Sequence, residues 1–308
     1  MTSPESAPTT GVPVLLLHGL SQQSAFWDPV VRRMSSRPVL ALDQRGHGRN
    51  DTPVDADFGV AACAQDAIDA MDDQGWDRAV VVGHSWGGAV ALGAAALAPH
   101  RVAAVVLLDG GLWTPADHGD RDEVRARLTP PRLGLPADEL WPMIAAGSLA
   151  PWWSEETAAA LAPTFVTDDE GRMSTRLGFD RHMKVLDGLL DHDAAADIAA
   201  VGAAGTPVWA VVCGDIDDRR ARAVERAQSQ PGFLVHHWAG ALHDVPLQWP
   251  ALVAGLVDAA VEQASNSSEF PTTLHPQHLS LVEVAPRCSP WVSHQTLREP
   301  QTPLPALR

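Results

Sequence analysis

Cysteine is scarce in this sequence: Cys63, Cys213 and Cys288 are the only three in 308 residues, an odd number, widely separated, with no C-x-x-C pair. Neither a disulfide framework nor a zinc site has support from them, and a reduced, cytoplasmic setting is expected. Long apolar runs are also missing. The purely apolar stretches, such as Val14–Leu17, are strand-length and far short of the roughly 20 residues that span a bilayer, so no membrane span is expected. The first residues, 1–11, have no basic n-region and no apolar segment of signal-peptide length; they are polar, rich in Ser, Thr and Pro, and read as a flexible N-terminus. Basic charge is short as well. Lys and Arg number 22 against 38 Asp and Glu, a formal net charge of −16, which would repel a phosphate backbone and makes nucleic acid an unexpected partner. The 13 histidines show no H-E-x-x-H or comparable ligand spacing, so no metal and no cofactor are expected. No internal repeat is visible, which leaves a solenoid or propeller without support.

What the sequence does have is alternation. Short β-branched runs (Val12–Leu17, Val39–Leu42, Ala79–Val82, Val102–Leu108, Val208–Val212 and Phe233–Trp238) are separated by Ala-rich amphipathic stretches. Trp27, Val30, Val31 and Met34, for example, carry the spacing of a helix with one buried face. The pattern predicts an α/β fold, a mostly parallel central sheet with helices on both faces, built from 12–111 and 201–264 as one domain. The alternation breaks over 112–200, where helical signals are interrupted by Pro130, Pro131, Pro136, Pro142, Pro151 and Pro163; this reads as an inserted helical lid. Within it Ser154 followed by Glu155 and Glu156 has the form of an N-cap with acids in the first turn, where they complement the helix dipole. Over 265–308 the composition shifts to Ser, Thr, Pro and His without periodicity, and a disordered, dispensable tail is expected.

The segment that carries chemistry is Ala79-Val-Val-Val-Gly83-His84-Ser85-Trp86-Gly87-Gly88, a strand running into G-x-S-x-G and then an Ala-rich helix. A sharp strand-to-helix turn forces the serine into a strained conformation and leaves no room for bulky neighbours, which accounts for Gly83 and Gly87. Here the sequence resembles the α/β-hydrolase superfamily, whose nucleophile elbow is often G-H-S-x-G-G, and the resemblance extends over about Val12–Ala264. It implies Ser85 as nucleophile. A serine hydroxyl needs a general base and a third group to orient that base. His243 lies in Gly240-Ala-Leu-His243-Asp-Val-Pro, after the last expected strand, and resembles the family's catalytic histidine loop; His236 and His237 are expected to pack in the strand. For the acid, Cys213-Gly214-Asp215-Ile216-Asp217-Asp218 follows a strand, and the family's usual G-x-x-D spacing selects Asp217. Asp215 and Asp218 lie alongside, the proline often found after the family's acid is missing, and Asp109 is the alternative because some relatives place their acid after that earlier strand. Ser85, Asp217, His243 is the chain order the superfamily uses.

The resemblance also implies an oxyanion hole from the backbone N–H groups of Trp86, the residue after the nucleophile, and Leu20, in a His18-Gly19-Leu20 loop similar to the family's H-G-x motif, with His18 bracing the loop. Asp43-Gln-Arg45-Gly46-His47-Gly48-Arg-Asn50 resembles a second family segment, Asn50 standing where serine is usual; Arg45 is expected to organise loops and to take no catalytic part. The elbow is also close to G-H-D-W-G-G of epoxide hydrolases and haloalkane dehalogenases, but a serine attacking alkyl carbon would leave an ether that water does not cleave. Attack on an acyl carbon leaves a hydrolysable ester. The expected partner is therefore a small-molecule acyl substrate, with Trp113, Trp141, Trp152 and Trp153 as pocket candidates. Carboxylesterases, lactonases, carbon–carbon bond hydrolases and perhydrolases share this triad, as do ligand-binding relatives with little turnover. Only about ten residues precede Val12 where relatives often have two more strands, so the sheet is expected to be shortened at that edge, leaving the oligomeric state open.

Overall fold

A computed structural model of the chain describes residues 11–114, 117 and 119–266. The flexible N-terminus expected for 1–11 lies outside those residues except for Gly11, as does the tail expected for 265–308 beyond Asn266, Cys288 included. Nine strands follow one another along the described chain: β1 (Val14–Leu17), β2 (Val39–Leu42), β3 (Ala79–His84), β4 (Val102–Leu108), β5 (Leu135–Pro136), β6 (Phe165–Thr167), β7 (Arg172–Thr175), β8 (Val208–Cys213) and β9 (Phe233–Trp238). Six of them form one sheet in the order β2-β1-β3-β4-β8-β9, with every pairing parallel. The four central strands β1, β3, β4 and β8 are buried at every residue. That is why they read as unbroken Val, Leu and Ala runs: a parallel sheet is covered on both faces and has no solvent side to demand polar alternation. β2 and β9, at the edges, are only partly covered.

The helices are α1 (Asp28–Val31), α2 (Val60–Asp73), α3 (Trp86–Leu97), α4 (Arg121–Leu128), α5 (Ala137–Ala145), α6 (Glu155–Leu161), α7 (Phe179–Leu190), α8 (Ala194–Ala204), α9 (Asp218–Gln228), α10 (Val245–Gln248) and α11 (Pro250–Asn266). α3 lies between α2 and α8, while α11 packs on β3, β4 and α1. Successive strand residues point to opposite faces, so Leu15, Leu17, Val81, Val105 and Leu107 join Ile68, Met71, Val90 and Leu92 in the main core. The helical stripe expected from Trp27 to Met34 is confined to a 3-10 turn (Ser24–Trp27) and the single turn of α1, although Trp27 and Val30 are fully buried as the spacing requires. Among the described residues no helix is long and apolar enough to cross a membrane.

The insertion between β4 and β8, expected as a helical lid over 112–200, is helical in large part but not throughout. Besides its helices it contains a three-stranded antiparallel sheet, β5-β7-β6. Local turn chemistry makes it: Asp168 Oδ1 accepts the backbone N–H of Glu170 at 3.0 Å and of Arg172 at 2.8 Å, and Gly171 takes the left-handed conformation (φ 77°) that closes the hairpin. Strands of two to four residues leave no period to read. Ser154 caps α6 as expected, its Oγ accepting the Thr157 N–H at 3.1 Å. α4 and α7 pack through Val124, Met183, Leu186 and Leu190, with Leu20 against them, and Arg125 pairs with Asp187 at 2.6 and 3.1 Å across their outer side.

Candidate active site

The turn from β3 into α3 holds Ser85 at φ 53°, ψ −122°, a conformation that side chains avoid and that the surrounding backbone imposes. Sterics explain the glycines around it. A Cβ on Gly83 would overlap the Gly87 carbonyl, one on Gly87 the Leu17 carbonyl, and one on Gly110 the Ser85 carbonyl. The serine thus projects from the C-terminal end of the sheet, where parallel α/β folds place their ligands.

His243 reaches Ser85 from the loop between β9 and α10. Gln248 clamps that loop, its Oε1 accepting the Leu242 N–H at 2.6 Å and its Nε2 donating to the Gly240 carbonyl at 3.0 Å. His243 Nε2 lies 2.9 Å from Ser85 Oγ, and His243 Nδ1 lies 2.7 Å from Asp109 Oδ2. With Nδ1–H donating to the carboxylate, Nε2 is left to accept the serine proton.

The carboxylate in that chain is Asp109, not Asp217, and this corrects the principal residue assignment made from sequence. Asp109 directly follows β4 at φ 48°; its second oxygen, Oδ1, accepts the Cys213 N–H at 3.0 Å and Arg220 Nη2 at 2.6 Å. Asp217 is exposed and caps α9, its Oδ1 accepting the Arg220 backbone N–H at 2.8 Å. It lines the same cavity as Ser85 and His243, but its carboxylate is spent on the helix end. Asp215 is exposed and Asp218 stands in the first turn of α9.

Electrostatics follow from this packing. Burial alone would raise the Asp109 carboxyl, but the His243 hydrogen bond, the Cys213 N–H and the charges of His243 and Arg220 outweigh it and hold the group below the usual carboxylate range. The His243 side chain is still 55% exposed; partial desolvation depresses its imidazole, yet the bond to and charge of Asp109, helped by Asp244, raise it above the ordinary histidine value, while Arg220 pulls it down. His84, buried beneath His243 and bonded through Nε2 to the His243 carbonyl at 2.7 Å, is lowered to about 4, by burial first and by His243 second.

The Gly19 loop packs directly on the serine: a Cβ at Gly19 would sit 3.1 Å from Ser85 Cβ. Among the described residues, neither the Leu20 nor the Trp86 backbone N–H has an acceptor. His18 is fully buried behind the loop, its Nδ1–H donating to the Gly19 carbonyl at 2.8 Å and its Nε2 accepting the Gln44 N–H at 3.2 Å. Gln22, which the sequence did not flag, joins this loop to the histidine loop: Oε1 accepts the Gly19 N–H at 3.1 Å and Nε2 donates to Asp244 at 3.0 Å. Arg45 grips Asp66 with two bonds of 2.6 Å and also binds the Ala62 and Asp57 carbonyls, an organiser of loops away from the serine. His237 bonds the Gly214 carbonyl at 2.6 Å from within β9.

Ser85, Asp109 and His243 open into a cavity of about 490 Å³ whose outer wall comes from the insertion, through Val124, Leu128, Leu189 and Leu190. Trp113 lines it. Trp141, Trp152 and Trp153 do not; Trp141 instead packs within the insertion, its ring 6.5 Å from Trp153 and 5.6 Å from Phe165. No group of three or more His, Cys, Asp or Glu among the described residues is arranged to hold a metal ion.

A model of the alpha/beta hydrolase fold family matches residues 12–196. Over 133 residues the chain is 37% identical to the lipase LipV of Mycobacterium tuberculosis (strain ATCC 25618 / H37Rv), covering 42% of this chain and 49% of that protein. The chain spans less than half the length of the curated relatives it matches. Among solved structures it is similar to an E-2-(acetamidomethylene)succinate hydrolase, with TM-score 0.67 and 22% identity over 83% of this chain and 93% of that one. It is also similar to an esterase from Mycobacterium tuberculosis, with TM-score 0.60 and 24% identity over 83% and 85%. At those identities the likeness is one of fold.

Proposed function

Because the chain belongs to the α/β-hydrolase fold family, we propose that it hydrolyses an ester or related acyl substrate through an acyl-enzyme on Ser85, with His243 as general base and Asp109 orienting it. The observation that carries this reading is the continuous chain Ser85 Oγ–His243 Nε2, 2.9 Å, and His243 Nδ1–Asp109 Oδ2, 2.7 Å, at a serine held in a strained turn. In the first half-reaction Ser85 Oγ bonds to the acyl carbon while its proton passes to His243 Nε2. The imidazolium so formed is stabilised by the ionised Asp109. The tetrahedral oxyanion accepts from the Trp86 and Leu20 N–H groups, each such donor contributing about 3 kcal/mol. Collapse breaks the bond to the leaving group, which takes the proton from His243. A water then repeats the cycle on the acyl-enzyme, giving its proton to His243, and Ser85 leaves with that proton restored.

The cavity supports a small acyl substrate. Its apolar wall of Ala89, Trp113, Val124, Leu128, Leu189 and Leu190 faces the nucleophile, and the insertion that supplies most of that wall acts as the lid. Cys63 and Cys213 are free and buried, and burial raises both thiols, that of Cys63 to about 12. The test is hydrolysis of p-nitrophenyl esters from acetate to octanoate by the wild type and by Ser85→Ala. A loss of about a thousandfold or more in the variant supports the mechanism, and the chain-length optimum sizes the pocket. Equal activity in both proteins contradicts it.

A further inference from the structure

We propose that Arg220 is a positioning residue for this site: its guanidinium holds the Asp109 carboxylate so that one oxygen faces His243, and its charge keeps His243 available as a base. The proposal rests on the Ser85–His243–Asp109 reading. It begins from an exchange of roles at the end of β8. The loop there puts its candidate acid, Asp217, on the end of α9, and three residues later on that helix Arg220 turns inward to the carboxylate that His243 uses.

The geometry is that of a built bridge. Arg220 Nη2 donates to Asp109 Oδ1 at 2.6 Å, leaving Oδ2 to His243 Nδ1. Nη1 donates to the Cys213 and Asp215 carbonyls at 2.9 and 3.0 Å, which anchors the group to the backbone that also gives Asp109 an N–H. The guanidinium lies 5.0 Å from the centre of the Trp113 ring on the cavity wall. A planar, permanently charged fork can satisfy a carboxylate, two carbonyls and a ring face at once; a lysine ammonium cannot.

Other charges around the pair do not provide the same service. His84, Cys213 and Asp244 face it from β3, β8 and the histidine loop; His84 is neutral, Cys213 is held as a thiol, and Asp244 reinforces the pull of Asp109. Among the groups lining the cavity, Asp117 is paired with Arg226 at 2.6 Å, Asp217 caps α9, Arg219 packs beside Gly119, and Arg127 stands on the α4 wall. Among the described residues, Arg220 is the arginine bonded to the Asp109 carboxylate. Without it, His243 would meet Asp109 and Asp244 with one positive charge fewer, would hold its proton to higher pH, and Asp109 would lose a bond that fixes its rotation.

The experiment replaces Arg220 with Gln and with Met, neutral residues of different shape, and with Lys. Three readouts are taken on the full chain: kcat/KM against pH for p-nitrophenyl acetate, the rate at which a fluorophosphonate labels Ser85 against pH, and the NMR titration of the His243 imidazole. The proposal expects Arg220→Gln and Arg220→Met to move the acid limb and the imidazole titration upward by roughly half a unit to two units. It also expects kcat at pH 7 to fall about tenfold with KM little changed. Arg220→Lys should restore the titration and only part of kcat. Folded neutral variants whose limb and titration stay in place overturn the proposal, and so does failure of both to fold, which would make Arg220 a structural tether. If the wild type neither labels nor turns over, the hydrolase reading fails, and the imidazole titration still reports whether Arg220 acts on His243.

Discussion

Gly110 lies directly beneath Ser85: a Cβ built on it would overlap the serine carbonyl. Position 110 and Ser85 therefore share one space, so the turn after β4 and the turn after β3 fit together only if position 110 has no side chain. Gly110→Ala is expected to displace Ser85. Overpacking of this kind costs about 1 to 3 kcal/mol, which lowers Tm by roughly 2 to 10 °C in a domain of this size, and labelling of Ser85 should slow tenfold or more. Thermal melts and labelling rates check both effects; an unchanged labelling rate would show that the elbow tolerates the methyl group.

Asp109 and Asp217 make opposite predictions. Asp109→Asn removes the charge that fixes the His243 tautomer and stabilises the imidazolium, so kcat is expected to fall by about a thousandfold or more. Asp217→Ala deletes an exposed helix cap, so activity should stay within about threefold of wild type with only a small fall in Tm. Steady-state kinetics of the two variants, side by side, decide which carboxylate the histidine uses.

The acid limb of activity should lie above the ordinary histidine value of about 6.5. His243 has its pKa raised, once Asp109 overcomes the opposing effect of burial, and only its neutral form accepts the serine proton. The contribution of the His243–Asp109 pair to stability runs the other way: it is present below about pH 6.5 while Asp109 stays ionised, and fades as pH rises through the raised folded value of His243. A limb in kcat/KM below 6.5 would contradict this assignment.

Stability at mildly acid pH is governed by the buried histidines. Burial lowers His18 to about 4, His47 to about 3 and His84 to about 4, so between about pH 6.5 and 4 each takes a proton in the unfolded chain but not in the folded one. Stability therefore rises with pH in that window, and each histidine adds to the loss on acidification. Tm is expected to drop steeply below pH 6.5; equal Tm at pH 7.5 and 5 would contradict this reading of the buried histidines.

Gln22 links the Gly19 loop to the histidine loop through both ends of one amide. Gln22→Ala leaves the triad residues intact but frees the two loops from each other, and kcat is expected to fall several-fold to about tenfold with little change in KM. A Gln22→Glu variant, which keeps the Gly19 acceptor and places a carboxylate against Asp244, should be worse than Ala. Equal kinetics in all three proteins would show the link to be idle.

Much of this could be read from the residues because parallel strands buried on both faces have to be continuous apolar runs; all six runs singled out in the sequence became strands of the central sheet, within two residues at each end. The elbow was readable for the same kind of reason, since crowded backbone at Gly83 and Gly87 admits no side chain. The acid was misread because sequence spacing cannot show where a carboxylate turns: Asp217 satisfies a helix end, a local demand, while Asp109 meets His243 across 134 residues. A signal was nevertheless present in Asp109-Gly110-Gly111, two small residues after a buried strand, as at the elbow itself. Trp141 and Trp153 misled because large aromatic rings suit a pocket wall and an insertion's own core equally well.

Incubating the full chain with a fluorophosphonate and mapping the adduct by mass spectrometry tests whether Ser85 is the nucleophile. Ser85 is the only serine in the tryptic peptide 79–101. A single covalent adduct is expected on that peptide in the wild type, none in Ser85→Ala, and greatly slowed labelling in His243→Ala and Asp109→Asn. An unmodified 79–101 peptide, or an adduct that persists in Ser85→Ala, would contradict it.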